Sequence, residues 1–409
     1  MKFSVLLPTR NRLDLLKYAV ETVLRQDYGN WEIVISDNDS GEDVAGYVRS
    51  IGDPRIRYFR TDRLVPVTDN WNNAIEKSTG DYVIMLGDDD GLVKGYFRMA
   101  LNLIESYGEP DVIYVNSYLY AYPGVLPDHP DGYLRPYGYP AVFGSARDPF
   151  FLQPSRAREL VRASMDFRLL FGFNMQYSLV SRRIIQSLAN RGPFYQSPFP
   201  DYYATNVLFL TAGRILVCPT PLVVIGISPK SYGCFYFNRR EKEGVDFLNN
   251  LPRGDTTRDL SDVLLPGTNM NTFWLLAMQS ICDRYGGDYD VRVNYRRYRF
   301  LQILNTYGNY YIDRFGGVPE SKARESRRQF VTLWDGMRAW EKIVYGPSLW
   351  LAYNVVYRIP GAVRNAVKAK LMALLGQYPD FESVKSERGY RTMLEVFEGV
   401  DPAAGSLPR

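Results

Sequence analysis

The first 115 residues alternate between two hydrophobic periods, and no other feature of the sequence restricts the fold as strongly. Short, almost uninterrupted apolar runs predict buried strands at 3–7, 31–36, 55–59, 82–86 and 112–115. Between these runs, apolar residues recur at helical spacing and predict helices that begin near Asn11, at residue 69 and at residue 95. Because fully buried strands that alternate with helices form parallel sheets, we predict an α/β fold with a mostly parallel sheet flanked by helices.

Polar segments directly follow three of the predicted strands. They are Pro8-Thr9-Arg10-Asn11, Asp37-Asn38-Asp39-Ser40 and Gly87-Asp88-Asp89-Asp90. Ligands of open α/β sheets bind at the carboxyl ends of the strands. We therefore expect the three segments to converge at one edge of the sheet and to form the functional site.

The run Asp88–Asp90 is the most informative of these segments. Neighbouring carboxylates repel one another and need a cation, and oxygen ligands of this kind suit Mg²⁺ or Mn²⁺. An acidic turn between a strand and a helix is the alternative. Asp37 and Asn38 could likewise pair with the edge of a nucleobase, or could form an Asx turn or cap a helix that starts near Glu42.

Composition excludes several other classes of protein. With one histidine, His129, the chain cannot form a His-rich metal site or most His-based triads. Cys218, Cys234 and Cys282 lie far apart without a CxxC motif, so we expect reduced thiols in a cytosolic compartment. A net charge of +4 is too balanced to indicate nucleic-acid binding. No apolar run has the length of a transmembrane helix, and neither a GxGxxG nor a P-loop motif occurs.

The remainder of the chain is less regular. Residues 121–154 predict a long loop, and 229–268 an irregular segment that could form a lid over the site. Helices are predicted at 155–165, 178–190 and 199–213, two short strands within 214–228, and mostly helix from 270 to about 397. We predict a domain at 1–268, with a nucleotide-sugar-binding half (1–120) and an acceptor half (121–268), and a helical C-terminal region at 269–409.

Four segments together resemble the inverting glycosyltransferases of family 2, which have the GT-A fold. They are VLLPTRNR, EIVISDNDS, NWNNAIEKSTGDYVIMLGDDD and FPDYY, in this order, and the resemblance covers roughly residues 1–230. It implies transfer of a sugar, with inversion, from a nucleotide-diphosphate donor, expected to be a UDP-sugar. It also implies a saccharide or lipid-linked acceptor and a role in the synthesis of cell-surface polysaccharide or glycolipid.

The resemblance assigns roles to residues on the donor side. Asp89 and Asp90, in the DxD-type motif, would hold the Mn²⁺ or Mg²⁺ ion. The stretch 226–233 lacks the histidine that many relatives supply to the metal, so Ser228, Lys230 or Ser231 lines the diphosphate, or the metal is held more weakly. The predicted nucleotide-sugar-binding residues are Pro8, Thr9, Arg10, Asn11, Asp37, Asn38, Asn70, Asn73, Asp88 and Lys230.

The resemblance also points to a general base. The carboxylate pair of the family is reduced here to Pro200-Asp201, so Asp201 is the available base, with a helix N-cap as its alternative role. Two rival functions remain open. A nucleotidyltransferase would need a glycine-rich basic loop that PTRNRLD lacks, and a non-catalytic carbohydrate-binding or scaffold protein would be favoured by loss of the aspartates, which are all present.

The stretch 340–375 is basic and rich in Trp, Tyr, Leu and Val. It predicts either an amphipathic helix that lies in a membrane interface or an ordinary helix that packs on the catalytic domain. We therefore expect a cytoplasmic protein with a peripheral contact to the inner face of the membrane as one possibility. We expect no nucleic-acid partner.

Overall fold

A computed structural model describes residues 1–126, 130–232, 234, 259–266, 270–315, 319–356, 358–359, 363, 370 and 389–400. His129, the predicted boundary at 268, most of the segment 229–268 and part of 340–375 lie outside these residues. The chain divides into two compact units. The first comprises 1–161, 170–253 and 384–409, and the second comprises 162–169 and 254–383. The first unit thus includes residues 384–409, which the sequence prediction assigned to the C-terminal helical region; the predicted domain boundaries stay a prediction.

The first unit is organised around one sheet. The strands are β1 Phe3–Thr9, β2 Trp31–Asp37, β3 Ile56–Arg60, β4 Tyr82–Met85, β5 Gly91–Leu92, β6 Val112–Ala121, β7 Tyr133–Tyr137, β8 Phe150–Leu152, β9 Ser178–Ser181 and β10 Ile215–Ile227. The helices up to residue 211 are α1 Leu13–Leu24, α2 Val44–Ile51, α3 Val67–Lys77, α4 Tyr96–Ser106, α5 Pro140–Phe143, α6 Pro154–Met165, α7 Arg182–Ser187 and α8 Pro200–Thr211.

The order of the sheet places the first strand near its centre. The order is β3-β2-β1-β4-β9-β6-β10-β5, with β7 beside β6 and β8 beside β10. Strands β3, β2, β1 and β4 are parallel, as are β6 and β10, whereas β9 runs antiparallel between β4 and β6. Every residue of β1 and β2 is buried, which agrees with their nearly continuous apolar sequences. The predicted fold class, a mostly parallel sheet flanked by helices with a C-terminal helical region, is confirmed.

Three predictions between residues 121 and 228 are wrong. The predicted loop at 121–154 contains β7, α5 and β8, and the first residues of the predicted helix 178–190 form β9. Residues 214–228 form one strand, β10, which pairs with β6 along its length and shifts register between Cys218 and Pro221. The pairing partners of β8, β9 and β10 lie far away in the chain, so the local sequence carried little of the signal for these strands. The prolines of β10 lack the N–H that a regular ladder needs, which explains the shift.

The start of α1 also differs from the prediction. Asn11 does not cap the helix. The capping position before Leu13 is occupied by Arg12, and its side chain makes no capping hydrogen bond. The Asn11 side chain instead accepts a hydrogen bond from the Gly41 N–H at 2.8 Å, and its φ is +52°. The Leu13 N–H donates to Glu42 at 2.6 Å. A carboxylate from a neighbouring loop therefore satisfies the end of this helix.

The C-terminal residues 389–400 pack within the first unit. They include α13, Met393–Gly399, whose residues Met393, Val396 and Phe397 are buried. A side chain at Gly91 would meet the Met393 sulfur at 2.7 Å, so this contact requires glycine at the start of β5. The helix α13 thus packs against β5, the strand that follows Asp90.

The described part of the second unit is helical. Its helices are α9 Met270–Tyr289, α10 Tyr295–Phe315, α11 Glu320–Gly336 and α12 Ala339–Val356. Its core contains Leu265, Ile303, Tyr307, Tyr311, Leu333, Met337 and Leu349. None of the helices within the described ranges combines the length and the apolar character needed to cross a bilayer.

Candidate active site

The predicted convergence of polar segments at one sheet edge is confirmed. The parallel register places Thr9 beside Asp37 where β1 and β2 end. The Asn38 N–H donates to the Thr9 carbonyl at 2.9 Å, and the Asn11 N–H donates to Ser40 Oγ at 3.0 Å. The acidic turn, which we define as Asp88–Asp90, follows β4 on the other side of β1. Three strand ends therefore build one site.

Asp88 is held by two donors from the segment after β1. Its carboxylate accepts hydrogen bonds from Thr9 Oγ1 at 2.8 Å and from Arg12 Nη1 at 2.7 Å. All three side chains are buried. Burial raises the pKa of the Asp88 carboxyl, although the Arg12 guanidinium acts in the opposite direction. The ion pair with Arg12 therefore offsets part of the cost of burying this charge.

Asp90 accepts three hydrogen bonds and so stabilises the turn. Its Oδ1 accepts from the Gly226 N–H at 2.7 Å, and its Oδ2 accepts from the Gly87 N–H at 2.9 Å and from Gln176 Nε2. Burial, and then the neighbouring Asp89 charge, raise the pKa of the Asp90 carboxyl well above its usual range. Both oxygens are thus engaged by the protein itself.

Asp89 differs from its two neighbours because one carboxylate oxygen stays available. Its Oδ2 accepts from Ser228 Oγ at 2.9 Å and lies 3.8 Å from Arg12 Nη1. No hydrogen bond from the described residues reaches Oδ1. The Asp89 carbonyl accepts from the Tyr122 hydroxyl at 3.1 Å and lies 1.7 Å from where a Cβ on Gly226 would be. Only glycine at position 226 allows this approach.

The acidic turn fits a divalent cation that the substrate helps to bind. Within the described ranges, no group of three Cys, His, Asp or Glu side chains is arranged to hold a metal ion by itself. Mg²⁺ and Mn²⁺ sites of nucleotide enzymes commonly use one or two carboxylates together with substrate phosphates. The available Oδ1 of Asp89, in a cluster of buried carboxylates, meets that requirement.

The side chains predicted to read the nucleobase are already hydrogen-bonded to neighbouring parts of the protein. Asp37 is fully buried and accepts from the Ser40 N–H at 3.0 Å and from the Tyr58 hydroxyl at 2.7 Å. Asn38 donates to the Val65 carbonyl and accepts from the Val65 N–H, both at 2.9 Å. These bonds shape the end of β2.

Asn70 and Asn73 support the end of β2. The Asn70 amide accepts from Ser36 Oγ at 2.6 Å and donates to the Ser36 carbonyl at 3.1 Å. The Asn73 amide donates to Ser36 Oγ at 2.7 Å. Their predicted contact with the donor stays a prediction, since both amides already hold this strand in place.

Two cationic side chains flank the segment after β1. Arg10 is exposed, and its guanidinium forms no ion pair with the described residues. Lys230, on the segment after β10, donates to Asp14 at 3.1 Å and to the Asn11 carbonyl at 3.3 Å, and its carbonyl accepts from Arg12. The structure therefore brings Lys230 next to the predicted nucleotide segment although 218 residues separate it from Arg12.

Asp201 lies in the first turn of α8, directly after Pro200 at the start of that helix. Its carboxylate accepts the N–H of Tyr202 at 2.8 Å, and no ion pair with the described residues balances its charge. Burial raises the pKa of Asp201 to about 7. A carboxylate with this pKa can exchange a proton at neutral pH.

A short 3₁₀ turn, Met175–Tyr177, connects α8 with the acidic turn. Gln176 donates to Asp90, while Thr205 of α8 donates to the Phe173 carbonyl at 2.8 Å. The loop that leads into α8 is held in place as well, because Thr68 donates to the Ser197 carbonyl at 2.7 Å. The position of Asp201 is therefore determined by the same elements that support the acidic turn and the end of β2.

Four further residues hold the turn, and the sequence pattern did not mark them as site residues. They are Arg12, Gln176, Gly226 and Tyr122. Arg12 carried one usable signal: a basic side chain at a helix N-terminus opposes the helix dipole and so requires an acidic partner. The other three have no local signal, since glycine, glutamine and tyrosine at these positions fit an ordinary strand or loop.

Comparison with known proteins agrees with this site. The model of the family "Glycosyl transferase family 2" matches residues 4–163, which contain β1, β2, β4 and the acidic turn. The resemblance to family 2 glycosyltransferases noted in the sequence is therefore confirmed over residues 4–163.

Individual proteins are similar over different shares of the chain. WcaA of Escherichia coli K12, named for a glycosyl transferase role in colanic acid biosynthesis, is 27% identical over 59% of this chain and 82% of its own. The GalNAc(5)-diNAcBac-PP-undecaprenol beta-1,3-glucosyltransferase of Campylobacter jejuni is 36% identical over 23% of this chain and 31% of its own. The crystal structure of S. aureus TarS 1-349 has 16% identity and a TM-score of 0.44 over 83% of this chain and 93% of its own.

Proposed function

We propose that the first unit transfers a sugar from a UDP-sugar donor to a saccharide or lipid-linked acceptor, with inversion at the anomeric carbon. The observation that carries this proposal is the acidic turn, where two buried aspartates are engaged by the protein and Asp89 keeps one oxygen available. The turn adjoins the segments after β1 and β2, so a nucleotide in that edge would place its diphosphate over Asp89.

The donor would bind across the ends of β1, β2 and β4. In this proposal the nucleoside lies along Pro8–Asn11 and Asp37–Asn38, with Asn70 and Asn73 behind it. Asp88 faces the ribose or the donor sugar. Lys230 and the exposed Arg10 are the proposed cations for the phosphates, and each acts as a charge that does not depend on the metal.

Asp89 is the proposed primary ligand of Mn²⁺ or Mg²⁺. When bound, the ion would stabilise the negative charge that develops on the leaving diphosphate. Asp90 was predicted as a second ligand, but its three hydrogen bonds favour a supporting role, in which it keeps Asp89 in place. Arg12 has the corresponding role for Asp88 and also lowers the repulsion between the carboxylates.

Asp201 is the proposed general base, because it heads α8 beside the elements that build the turn. It would accept the proton of the acceptor hydroxyl as that oxygen attacks the anomeric carbon, while the diphosphate leaves on the metal side. General-base catalysis of this kind contributes ~10²–10⁴-fold. The raised pKa of Asp201 matches the task, since a base works best when its pKa is near the pH of the reaction.

The acceptor is proposed to be a saccharide in cell-surface polysaccharide or glycolipid synthesis, at the inner face of the membrane. The names of two relatives support this choice: one refers to colanic acid biosynthesis, and the other to a saccharide carried on undecaprenyl diphosphate. Each relative shares only part of its sequence with this chain, so the acceptor needs its own test.

A donor-hydrolysis screen tests the proposal directly. UDP-, GDP- and dTDP-sugars are incubated with the protein and Mn²⁺ or Mg²⁺, and release of the nucleotide is measured, with EDTA as the metal-free condition. We expect release from UDP-sugars only when metal is present, loss of release in Asp89→Asn, and normal release in Asp27→Asn, which changes an exposed aspartate in a surface pair with Arg98.

Two outcomes would overturn the proposed function. Release of diphosphate from a nucleoside triphosphate and a sugar phosphate would indicate a nucleotidyltransferase. A protein whose melting temperature does not rise with UDP and Mn²⁺, and which hydrolyses no donor, would be a non-catalytic binding protein on this fold.

A further inference from the structure

The helix α12 has two apolar faces, and only one of them packs against the protein. Leu349 belongs to the core of the second unit, and Tyr345 and Tyr353 pack against that core. The Tyr353 hydroxyl also donates to the Leu304 carbonyl of α10 at 3.2 Å. On the same inner face, Glu341 is buried in an ion pair with Arg299 at 2.7 Å. The inner face of α12 therefore packs against the rest of the second unit.

The opposite face of α12, which we call the outer face, is apolar and exposed. Its largest exposed side chains are Trp340 (44%), Ile343 (73%), Val344 (50%), Trp350 (56%), Leu351 (58%) and Val355 (50%). These positions are spaced by three, four or seven residues along the helix, so they lie on one side of it and form one stripe. A surface helix normally has one apolar stripe and a polar face opposite to it. A second stripe of this size indicates a partner.

The charged residues along and after α12 in the sequence are mostly basic. From Arg338 to Lys370 the sequence contains six basic residues and one acidic residue, Glu341. Glu341 is buried against Arg299, so no exposed carboxylate lies on α12. Arg338 and Arg358, at the two ends of the helix, are exposed, and the Lys342 ammonium lies 5.7 Å from the Trp334 ring centre. The outer face thus combines apolar area with a positive rim.

We propose that the outer face of α12 lies in the interface of an anionic lipid bilayer, with the helix parallel to the membrane plane. Tryptophan suits this depth because its ring is apolar and its N–H remains in the hydrated headgroup layer, and Trp340 and Trp350 are both exposed on this face. Long basic side chains reach from the same depth to lipid phosphates.

A bilayer fits these features better than a second copy of the chain. Two outer faces in contact would bring two positive rims together, and no exposed carboxylate on α12 could pair with them. An anionic lipid surface attracts basic residues, by ~1 kcal/mol for each one near the surface. The inference does not depend on the proposed function, although a membrane contact would bring the enzyme close to a lipid-linked acceptor.

Vesicle flotation of the full-length protein tests this inference. The vesicles contain phosphatidylcholine alone or with 30% phosphatidylglycerol as a probe composition, at low and at high salt. We expect binding to the anionic vesicles, weaker binding to the neutral ones, and partial release by salt because exposed charges are screened. Tryptophan fluorescence should shift to the blue when the vesicles are added.

Two double variants separate the outer face from a general charge effect. Trp350→Glu with Leu351→Glu should lower vesicle binding by about tenfold or more, since two apolar side chains that would enter the bilayer become charged. Asn102→Glu with Ser106→Glu adds the same charge at exposed positions of α4 in the first unit and should bind like the unchanged protein. Circular dichroism and donor hydrolysis report whether each variant is folded.

The results that would overturn the inference are distinct from those that would overturn the transferase. If the unchanged protein binds no vesicles, or if the Trp350/Leu351 variant binds them normally, the outer face does not contact membrane. A dimer in solution that this variant converts to a monomer, without vesicle binding, would assign the outer face to a second copy. In each of these cases donor hydrolysis by the first unit would be unaffected.

Discussion

The acidic turn and Asp201 are two carboxylate sites in the same unit, and they are stabilised in opposite ways. The turn receives donors from several elements, including the Arg12 guanidinium and three hydrogen bonds to Asp90. Asp201 receives the N–H of its own helix and no cation from the described residues. Burial raises the pKa of carboxyls in both places, but only in the turn do several donors and a cation also fix the carboxylate geometry.

The comparison suggests a division of roles that mutation can test. The turn should respond to substitutions mainly through stability and metal-dependent donor binding, because its neighbours hold its shape. Asp201 should respond mainly through the rate of transfer and through pH.

Arg12→Met should be the most damaging change to the turn. It leaves the buried Asp88 carboxylate without its ion-pair partner, which costs about 3–5 kcal/mol of unfolding free energy. Chemical denaturation measures the loss. Arg98→Met is the matched control, because Arg98 is exposed in a surface pair with Asp27, and it should change stability by less than about 1 kcal/mol. Equal losses in the two variants would show that the buried Arg12–Asp88 pair contributes no more to stability than an exposed pair.

Gly226→Ala should be nearly as destabilising. The new Cβ would lie 1.7 Å from the Asp89 carbonyl, so the backbone of the turn or of β10 must move. We expect a loss of about 3 kcal/mol and weaker metal-dependent UDP binding, measured by thermal unfolding and calorimetry. Gly29→Ala is the control, since nothing lies within 4 Å of its Cβ. Normal UDP binding by Gly226→Ala would show that the turn tolerates displacement.

Asp201→Asn should separate the two sites. It retains the size of the side chain but cannot accept the proton of the acceptor, so transfer should fall by ~10²-fold or more while donor binding persists. Steady-state transfer and calorimetric donor binding give the two readouts, with Asp27→Asn as the exposed control. Transfer at a normal rate would mean that another carboxylate is the base.

The pH dependence should show the smallest effect and the most specific one. Transfer should rise with pH through about 7, where Asp201 loses its proton, and then level off. The folded protein binds this proton more tightly than the unfolded chain, so Asp201 lowers stability as pH rises from about 4 through 7.

Asp201→Asn removes that titration. The variant should therefore melt at a higher temperature than the unchanged protein at pH 8 and at the same temperature near pH 4. Scanning calorimetry at both pH values measures the difference. A constant difference across this range would mean that Asp201 has an ordinary pKa and that burial does not affect its charge.

Several parts of the fold were predictable from local pattern. Strands β1 to β4 and helices α1, α3 and α4 each carry a clear period, and the polar segments after β1, β2 and β4 meet as expected. The strand β9 was not predictable, because Ser178–Ser181 is short and is stabilised by pairing with β4 and β6. Its neighbour in the sheet, rather than its sequence, decides its conformation.

The sequence by itself determined which carboxylates directly follow the buried strands, since the apolar period that marks each strand is a local property. Only the tertiary structure decided their separate environments. Apart from the Gly87 N–H, the donors to Asp90 and Asp89 lie 86 to 139 residues away, on Gln176, Gly226 and Ser228. Burial and hydrogen bonding depend on such distant contacts, and they, rather than residue type, determine which aspartate supports the turn and which keeps an oxygen available.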